Sequence, residues 1–434
     1  MLVTPEPERR RRAPRLVRAG RLVAAAPRFA ARLGSQYRSP ERAQAHQRER
    51  LRAVLRAAAR IPFYAARLGR DPRPEDLSRL PILRRPDVIE LNASVRSLHA
   101  TRTRFPADRS SGSTGMPVEF LFDATHQRGR FAARARYLLA NGWNPLRRNA
   151  WIISLPVDSP DGELLARHSL LGTRFLSHLT PFDEQVRWLE ALDPTSLYTF
   201  PSNLEGLLPA IEASGTKLRS LERLFSGSEV LDDALRERVR RALGVETADN
   251  YGSTEAFLAW QCPAGSYHVN SEHVLIEIVD ERGAPAEPGE IGRVLVTTLE
   301  NELMPLVRYE IGDYAHPAAG DCRCGRTLPL IGAVAGRSIN LFRRPDGGLF
   351  TPWRLVSPLK KRDAIRQFQL VQRSALDYLV RFVAPAPLGE DTEAAIANEM
   401  SAIVGYEVRV AFERRDSIAR GATGKYMTAL REAG

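Results

Sequence analysis

Strand and helix signals that alternate from residue 118 to residue 251 predict an α/β fold, with a large domain of layered α/β and β subdomains and a small mobile α+β C-terminal domain. Three observations carry this prediction. The alternation implies a largely parallel sheet with helical crossovers. From Tyr267 to Tyr314 the pattern turns all-β, as expected of a sheet-rich subdomain that closes the large domain. Beyond Arg337 come a hairpin, a helix and a last strand, and a chain of 434 residues exceeds what one core usually supports. The expected divisions are 1–36, 37–337 and 338–434.

The first segment stands apart by charge. Residues 1–60 hold sixteen Arg and four Glu, a balance of +12 that equals the formal charge of the whole chain, so residues 61–434 are neutral. Arg9-Arg10-Arg11-Arg12, followed by Pro14-Arg15-Leu16-Val17-Arg18, forms a basic arm. It suits either a solvated extension or peripheral contact with an anionic membrane. A basic surface- or nucleic-acid-binding protein is the reading from a different class, but the neutral remainder and the lack of an aromatic-basic repeat argue against nucleic acid. No apolar run approaches the ~18 residues of a membrane span and no secretory segment lies near Met1, so a cytoplasmic enzyme is expected.

Leu51, Val54, Leu55 and Ala58 recur at helical spacing and predict a helical cap on the large domain. Val118-Glu119-Phe120-Leu121-Phe122 alternates as a strand and is followed by a helix over 128–139. Strands are then expected over 150–155, 197–200, 221–225 and 247–251, between helices over 184–192, 204–213 and 235–243. Residues 274–279 and 292–298 read as β, with a turn at Glu281-Arg282-Gly283. In the last domain, 368–371 and 378–382 form a hairpin, 392–403 a helix and 406–412 a final strand.

Five short segments carry the chemistry. Ser110-Ser111-Gly112-Ser113-Thr114-Gly115 places two glycines and four hydroxyls in six residues. Glycine lets backbone N–H groups turn toward an anion and hydroxyls add donors, which suits a phosphate cradle, although such loops also serve as plain turns. Tyr251-Gly252-Ser253-Thr254-Glu255, Arg308-Tyr309-Glu310-Ile311-Gly312-Asp313, Gly336-Arg337-Ser338 and Gly421-Ala422-Thr423-Gly424-Lys425 follow in order. The chain has 59 arginines and only four lysines, Lys217, Lys360, Lys361 and Lys425, so a lysine in a Thr-Gly-Lys loop departs from its own habit.

Together these segments resemble the adenylate-forming superfamily of acyl-CoA synthetases, specifically its phenylacetate-CoA ligase and CapK-like branch, from about Tyr37 to the end. The resemblance implies an ATP-dependent acid–thiol ligase that makes an acyl-adenylate and passes the acyl group to CoA. Amide or ester formation, or adenylyl transfer to a small molecule, is the alternative within the family. It implies that Ser111, Gly112, Ser113, Thr114 and Gly115 hold the triphosphate, although Met116 stands where many relatives carry Lys. Tyr251 would lie near adenine beside Asn250 and Gly252, Thr254 would meet the α-phosphate, and Glu255 would bind Mg²⁺. Asp313 would accept from both ribose hydroxyls, with Arg337 as its cationic partner, and Ser228 and Glu229, in Ser226-Gly227-Ser228-Glu229, would belong to the adenine-contacting segment. Lys425 would be the catalytic cation on a rotating lid, whose pivot is in doubt because Ser338-Ile339-Asn340 departs from the usual Ser-Asp-Asp. The acid pocket is expected around 151–156, 198–203, Ser226 and Phe257; the identity of the acid and the oligomeric state are not legible.

Cys262, Cys322 and Cys324 are all the cysteines of the chain, and with His268 they make the ligand set of a closed structural zinc site. His273 is a possible substitute for His268, and reduced buried cysteines are the plain alternative. A hydrolase is disfavoured, since neither G-x-S-x-G nor H-E-x-x-H occurs.

Overall fold

The computed structural model describes residues 30–69, 71–101, 105–110, 118–154, 172–337, 341–418 and 428–432. An eight-stranded sheet forms the centre. Asn149–Ile153, Thr173–Ser177, Ser196–Tyr198, Arg223–Gly227 and Thr247–Gly252 run parallel. Phe257–Gln261, Tyr267–Val269 and the short Leu330–Ile331 then continue the sheet antiparallel. This antiparallel edge departs from the expected parallel rhythm because the links after Gly252 and Gln261 are too short for a helical crossover.

Helices Phe182–Leu192, Pro201–Ser214 and Asp233–Leu243 bury Leu189, Leu204, Leu207, Ile211 and Val239 against Ile152, Leu197 and Leu224 of the sheet. Helix Ala124–Ala140 sends Ala133, Tyr137 and Leu138 into a separate cluster with Tyr198, Phe225, Phe257 and Trp260. Asp123 and Asp232 start two of these helices by accepting from the amides of His126 and Leu235, both at 2.8 Å.

A second sheet, Val274–Val279, Gly292–Thr298, Tyr309–Ala315 and Val334–Arg337, is wholly antiparallel. It shares a core with the expected helical cap, where Leu55, Tyr64 and Leu91 meet Val294, Val296 and Tyr309. Pro62 opens a new helix at Pro62–Leu68 after Pro40–Ala59 ends. Arg308 enters the third strand of this sheet at φ 50°. Its buried guanidinium offsets that strain by bonding both oxygens of Glu277 at 3.1 Å and the carbonyls of Ser78 and Leu80 at 2.7 and 2.8 Å.

The folded body begins earlier than the charge pattern suggests. Arg32 pairs with Glu300 at 2.6 Å, Arg136 donates to the Arg32 carbonyl at 2.6 Å, and the Thr327 amide donates to the Gln36 carbonyl at 2.9 Å. Residues 30–36, placed in the arm by their sequence, are therefore docked; counting arginines does not separate one that meets a buried carboxylate from one that meets water.

From Phe342 onward a separate core forms around Leu355, Phe368, Tyr378, Phe382, Ile396 and Met400. The Gln367–Gln372 and Asp377–Val383 hairpin is flanked by Arg409–Arg414 and Ala429–Arg431, both parallel to their neighbours. The Arg409–Arg414 strand starts three residues later than its pattern predicts, because Gly405 caps helix Glu390–Val404 at φ 82° and the chain must turn first. No helix among the described residues is long and apolar enough to cross a membrane.

Candidate active site

The two sheets meet at a carboxylate. The Tyr251 hydroxyl, at the end of a parallel strand of the large sheet, donates to Asp313 Oδ2 at 2.9 Å. Arg337 Nε donates to Asp313 Oδ1 at 2.9 Å, and the two residues are register partners across the second sheet. Burial pushes the Asp313 carboxyl above the usual range, opposed by Arg337 and by the Tyr251 hydrogen bond. One donor on each oxygen leaves acceptor capacity, which a vicinal diol could fill.

Glu255 follows in a turn where the Ser253 amide donates to the Ala256 carbonyl at 2.9 Å. Its side chain is buried, and burial raises the carboxyl although a Ser253 hydrogen bond opposes the shift. Among the described residues no arginine or lysine forms a salt bridge with it. Arg337 favours its ionised form without pairing with it, and a buried carboxylate of hard oxygen donors fits Mg²⁺. Thr254, beside it, is half-buried.

Asn250 donates to the Ser226 carbonyl and to the Tyr198 hydroxyl, the latter at 3.2 Å. A Cβ on Gly227 would overlap the Asn250 amide, so glycine is needed there. Ser228 then turns at φ 68°. The Glu229 carboxylate accepts from the Ser202 amide at 2.8 Å and hydroxyl at 3.1 Å, holding the start of helix Pro201–Ser214. Trp151 stacks on Tyr198 with centroids 5.1 Å apart, near Phe257.

Ser111, Gly112, Ser113, Thr114, Gly115 and Lys425 lie outside the described residues, as do Ser338 and Asn340. The ends of the glycine-serine loop are described: Ala107–Arg109 pairs antiparallel with Glu119–Leu121, and the Ser110 amide donates to the Val118 carbonyl at 2.9 Å.

Cys262, His268, Cys322 and Cys324 form a second cluster, with ligand atoms all within 4.8 Å of one another. Cys262 and Cys322 sulfurs are 3.5 Å apart, and Cys324 Sγ is 3.2 Å from His268 Nε2. His268 Nδ1 faces the Leu328 carbonyl at 3.3 Å, so Nδ1 carries the proton and Nε2 presents a bare lone pair to the thiols. Burial raises the Cys262 thiol to about 11. Burial opposes ionisation of Cys322 too, but hydrogen bonds from Ser266 and Cys324 outweigh it and bring that thiol down to about 7. His273 is not in the cluster; it bonds Glu300 at 2.8 Å.

Sequence reasoning missed Lys360. Its Nζ reaches from the C-terminal core to Asp232 at 2.7 Å and Glu205 at 3.5 Å on the large domain. The scarcity of lysine, applied to Lys425, marks it equally.

Residues 170–301 match the AMP-binding enzyme family. Over the whole chain the fold is similar to that of 2-hydroxyisobutyryl-CoA ligase: solved in the postadenylation state with 2-HIB-AMP, it gives a TM-score of 0.72 at 19% identity, covering 91% of this chain and 90% of that one. The same ligase in the thioesterification state gives 0.57 at 19% identity, covering 92% and 91%. The fold is thus that of these solved CoA ligases, and residues 170–301 carry the AMP-binding match within it. In sequence the chain is similar to phenylacetate-coenzyme A ligases. It is 30% identical over 288 residues to the phenylacetate-coenzyme A ligase of Thermus thermophilus, covering 61% of each chain. It is 29% identical over 168 residues to that of Escherichia coli, covering 36% of this chain and 37% of that one. The matched stretch thus spans less than two thirds of the length of either relative.

Proposed function

We propose that this chain is an AMP-forming ligase that activates a carboxylic acid as its acyl-adenylate, releasing pyrophosphate, and then transfers the acyl group to the CoA thiol, releasing AMP. The observation that carries the reading is the convergence of Tyr251 and Arg337 on the buried Asp313 carboxylate, with the buried Glu255 carboxylate nearby. In this reading Asp313 accepts from the ribose hydroxyls, Arg337 opposes the effect of burial on Asp313, and Tyr251 with Asn250 and Gly252 borders the adenine. Thr254 meets the α-phosphate. Ser111, Gly112, Ser113, Thr114 and Gly115 cradle the triphosphate, and Lys425 stands against the acid oxygen as it attacks, where charge develops. Glu255 would hold Mg²⁺, which neutralises phosphate charge when bound. Residues 338–434 act as the lid. Cys262, His268, Cys322 and Cys324 would hold one structural Zn²⁺; four ligands leave no open position for chemistry. Unpaired cysteines suit the cytoplasm, and the segment before residue 30 is a candidate for peripheral contact with anionic lipid.

The test is acid-dependent exchange of labelled pyrophosphate into ATP, screened across aryl, fatty and amino acids, followed by CoA-dependent release of AMP. Exchange with one acid class and thioester formation with CoA support the reading. Exchange followed by transfer only to an amine or alcohol redirects the second step. Absence of exchange with every class overturns it.

A further inference from the structure

His126 is a fully buried polar residue that the proposed site does not use. It sits in the first turn of helix Ala124–Ala140 and is fixed from several sides. Its ring stacks on Phe122, centroids 4.7 Å apart and planes within 7°, and lies 4.6 Å from the His273 ring. Its Nε2 is 2.9 Å from the main-chain carbonyl of Glu255. A carbonyl only accepts, so Nε2 bears the proton and donates; among the described residues Nδ1 has no hydrogen-bond partner. Among the described residues, the one hydrogen bond of this side chain is therefore spent on the backbone of Glu255, the residue proposed to hold Mg²⁺.

The surroundings are built to keep it there. His273 Nδ1 bonds Glu300 Oε2 at 2.8 Å, and Arg32 reaches both Glu300 oxygens at 2.6 Å from the docked N-terminal segment. Gly129 lies inside the helix, where glycine costs about 1 kcal/mol relative to alanine, because a Cβ there would overlap Glu300 and His273. Asp123 accepts from the His126 amide and, at 2.8 Å, from the Glu302 amide, tying the helix start to the same segment.

We propose that His126 is a positioning residue of the nucleotide site, its Nε2–H holding the Glu255 carbonyl and so setting the direction of that carboxylate, while the chain Arg32–Glu300–His273 holds the His126 ring. The inference rests on the reading of Glu255 as the Mg²⁺ ligand. It is tested without knowing the acid, by calorimetric titration of ATP at a series of Mg²⁺ concentrations and without Mg²⁺. His126→Phe keeps the stack and removes the donor; His126→Gln restores an N–H near the Nε2 position. Loss of one hydrogen bond predicts that His126→Phe needs about tenfold more Mg²⁺ for half-maximal ATP binding, with Mg²⁺-free affinity unchanged and Gln close to wild type. Arg32→Gln, at a half-exposed position, should shift the Mg²⁺ midpoint the same way by a smaller factor even if the Phe variant does not fold. Glu255→Gln is the reference. If it raises the Mg²⁺ requirement and neither His126→Phe nor Arg32→Gln does, the inference is overturned and the Glu255 assignment stands. If Glu255→Gln changes nothing, both fall. Equal losses with and without Mg²⁺ in His126→Phe would mean a packing role only and would also overturn it.

Discussion

The Asp313 group and the Cys262 group are both polar clusters where sheet strands meet, yet they are completed in opposite ways. Asp313 has a donor on each oxygen from Tyr251 and Arg337, at 2.9 Å in both cases. Within the cysteine cluster the four groups meet one another through a thiol pair at 3.5 Å and a thiol–imidazole contact at 3.2 Å, weak interactions for groups gathered in one place. In the proposed reading, the difference separates a site for a transient nucleotide from one that a resident zinc ion would complete. Loss of a residue in the nucleotide site should show in binding and rate, whereas loss in the cysteine cluster should show in stability.

The largest expected effect lies on the nucleotide side. Lys425→Ala should lower acid-dependent pyrophosphate exchange by about 10²–10³ while leaving most thioester formation from preformed adenylate. Near-wild-type exchange would remove Lys425 from the mechanism. On the other side, elemental analysis should find one zinc per chain in protein purified without added metal. Cys324→Ser should weaken zinc binding by more than the ~10–100-fold that loss of an outer partner costs and lower Tm, without altering the affinity for ATP. Undiminished zinc in the variant, or metal-free wild type of full stability, would break the comparison.

Truncation asks where the folded body starts. Deleting residues 1–29 should leave stability and ATP binding unchanged, whereas deleting 1–36 removes Arg32 and Ser35 and leaves Glu300 and Glu272 short of partners. Denaturant unfolding should show a loss of about 3 kcal/mol for the longer deletion only. The smallest effect concerns Asp249, two residues before Tyr251, whose carboxyl burial pushes up to about 6 despite hydrogen bonding from Tyr267 and the charge of Arg236. A folded value above the unfolded one, about 3.9, means that its favourable contribution is complete below pH ~4 and is lost as pH rises through ~6. Asp249→Asn should therefore gain stability relative to wild type as pH rises between those limits. A difference independent of pH would contradict the assignment.

Much of this was legible in sequence, and what was missed has physical causes. The helices Phe182–Leu192 and Asp233–Leu243 and the strand Val274–Val279 follow local apolar periodicity and lie where it puts them. The antiparallel edge at Phe257–Gln261 depends on the length of its links, which period alone does not weigh. Motif matching brought Tyr251, Asp313 and Arg337 together, although they are distant in the chain. It did not reveal that Glu229 caps a helix through Ser202, because a capping partner 27 residues away leaves no local pattern. The choice of His268 over His273 likewise required knowing that Glu300 already occupies the latter.

Asp313 as the ribose carboxylate is the claim on which the account turns, and sugar discrimination tests it most directly. Dissociation constants should be measured for ATP, 2′-deoxy-ATP and 3′-deoxy-ATP with wild type and Asp313→Ala. Hydrogen bonds to a buried charge predict that wild type binds ATP at least about tenfold more tightly than either deoxy analogue, and that the variant binds all three alike and weakly. Wild type that does not distinguish the sugars, or a variant that still does, would contradict the account.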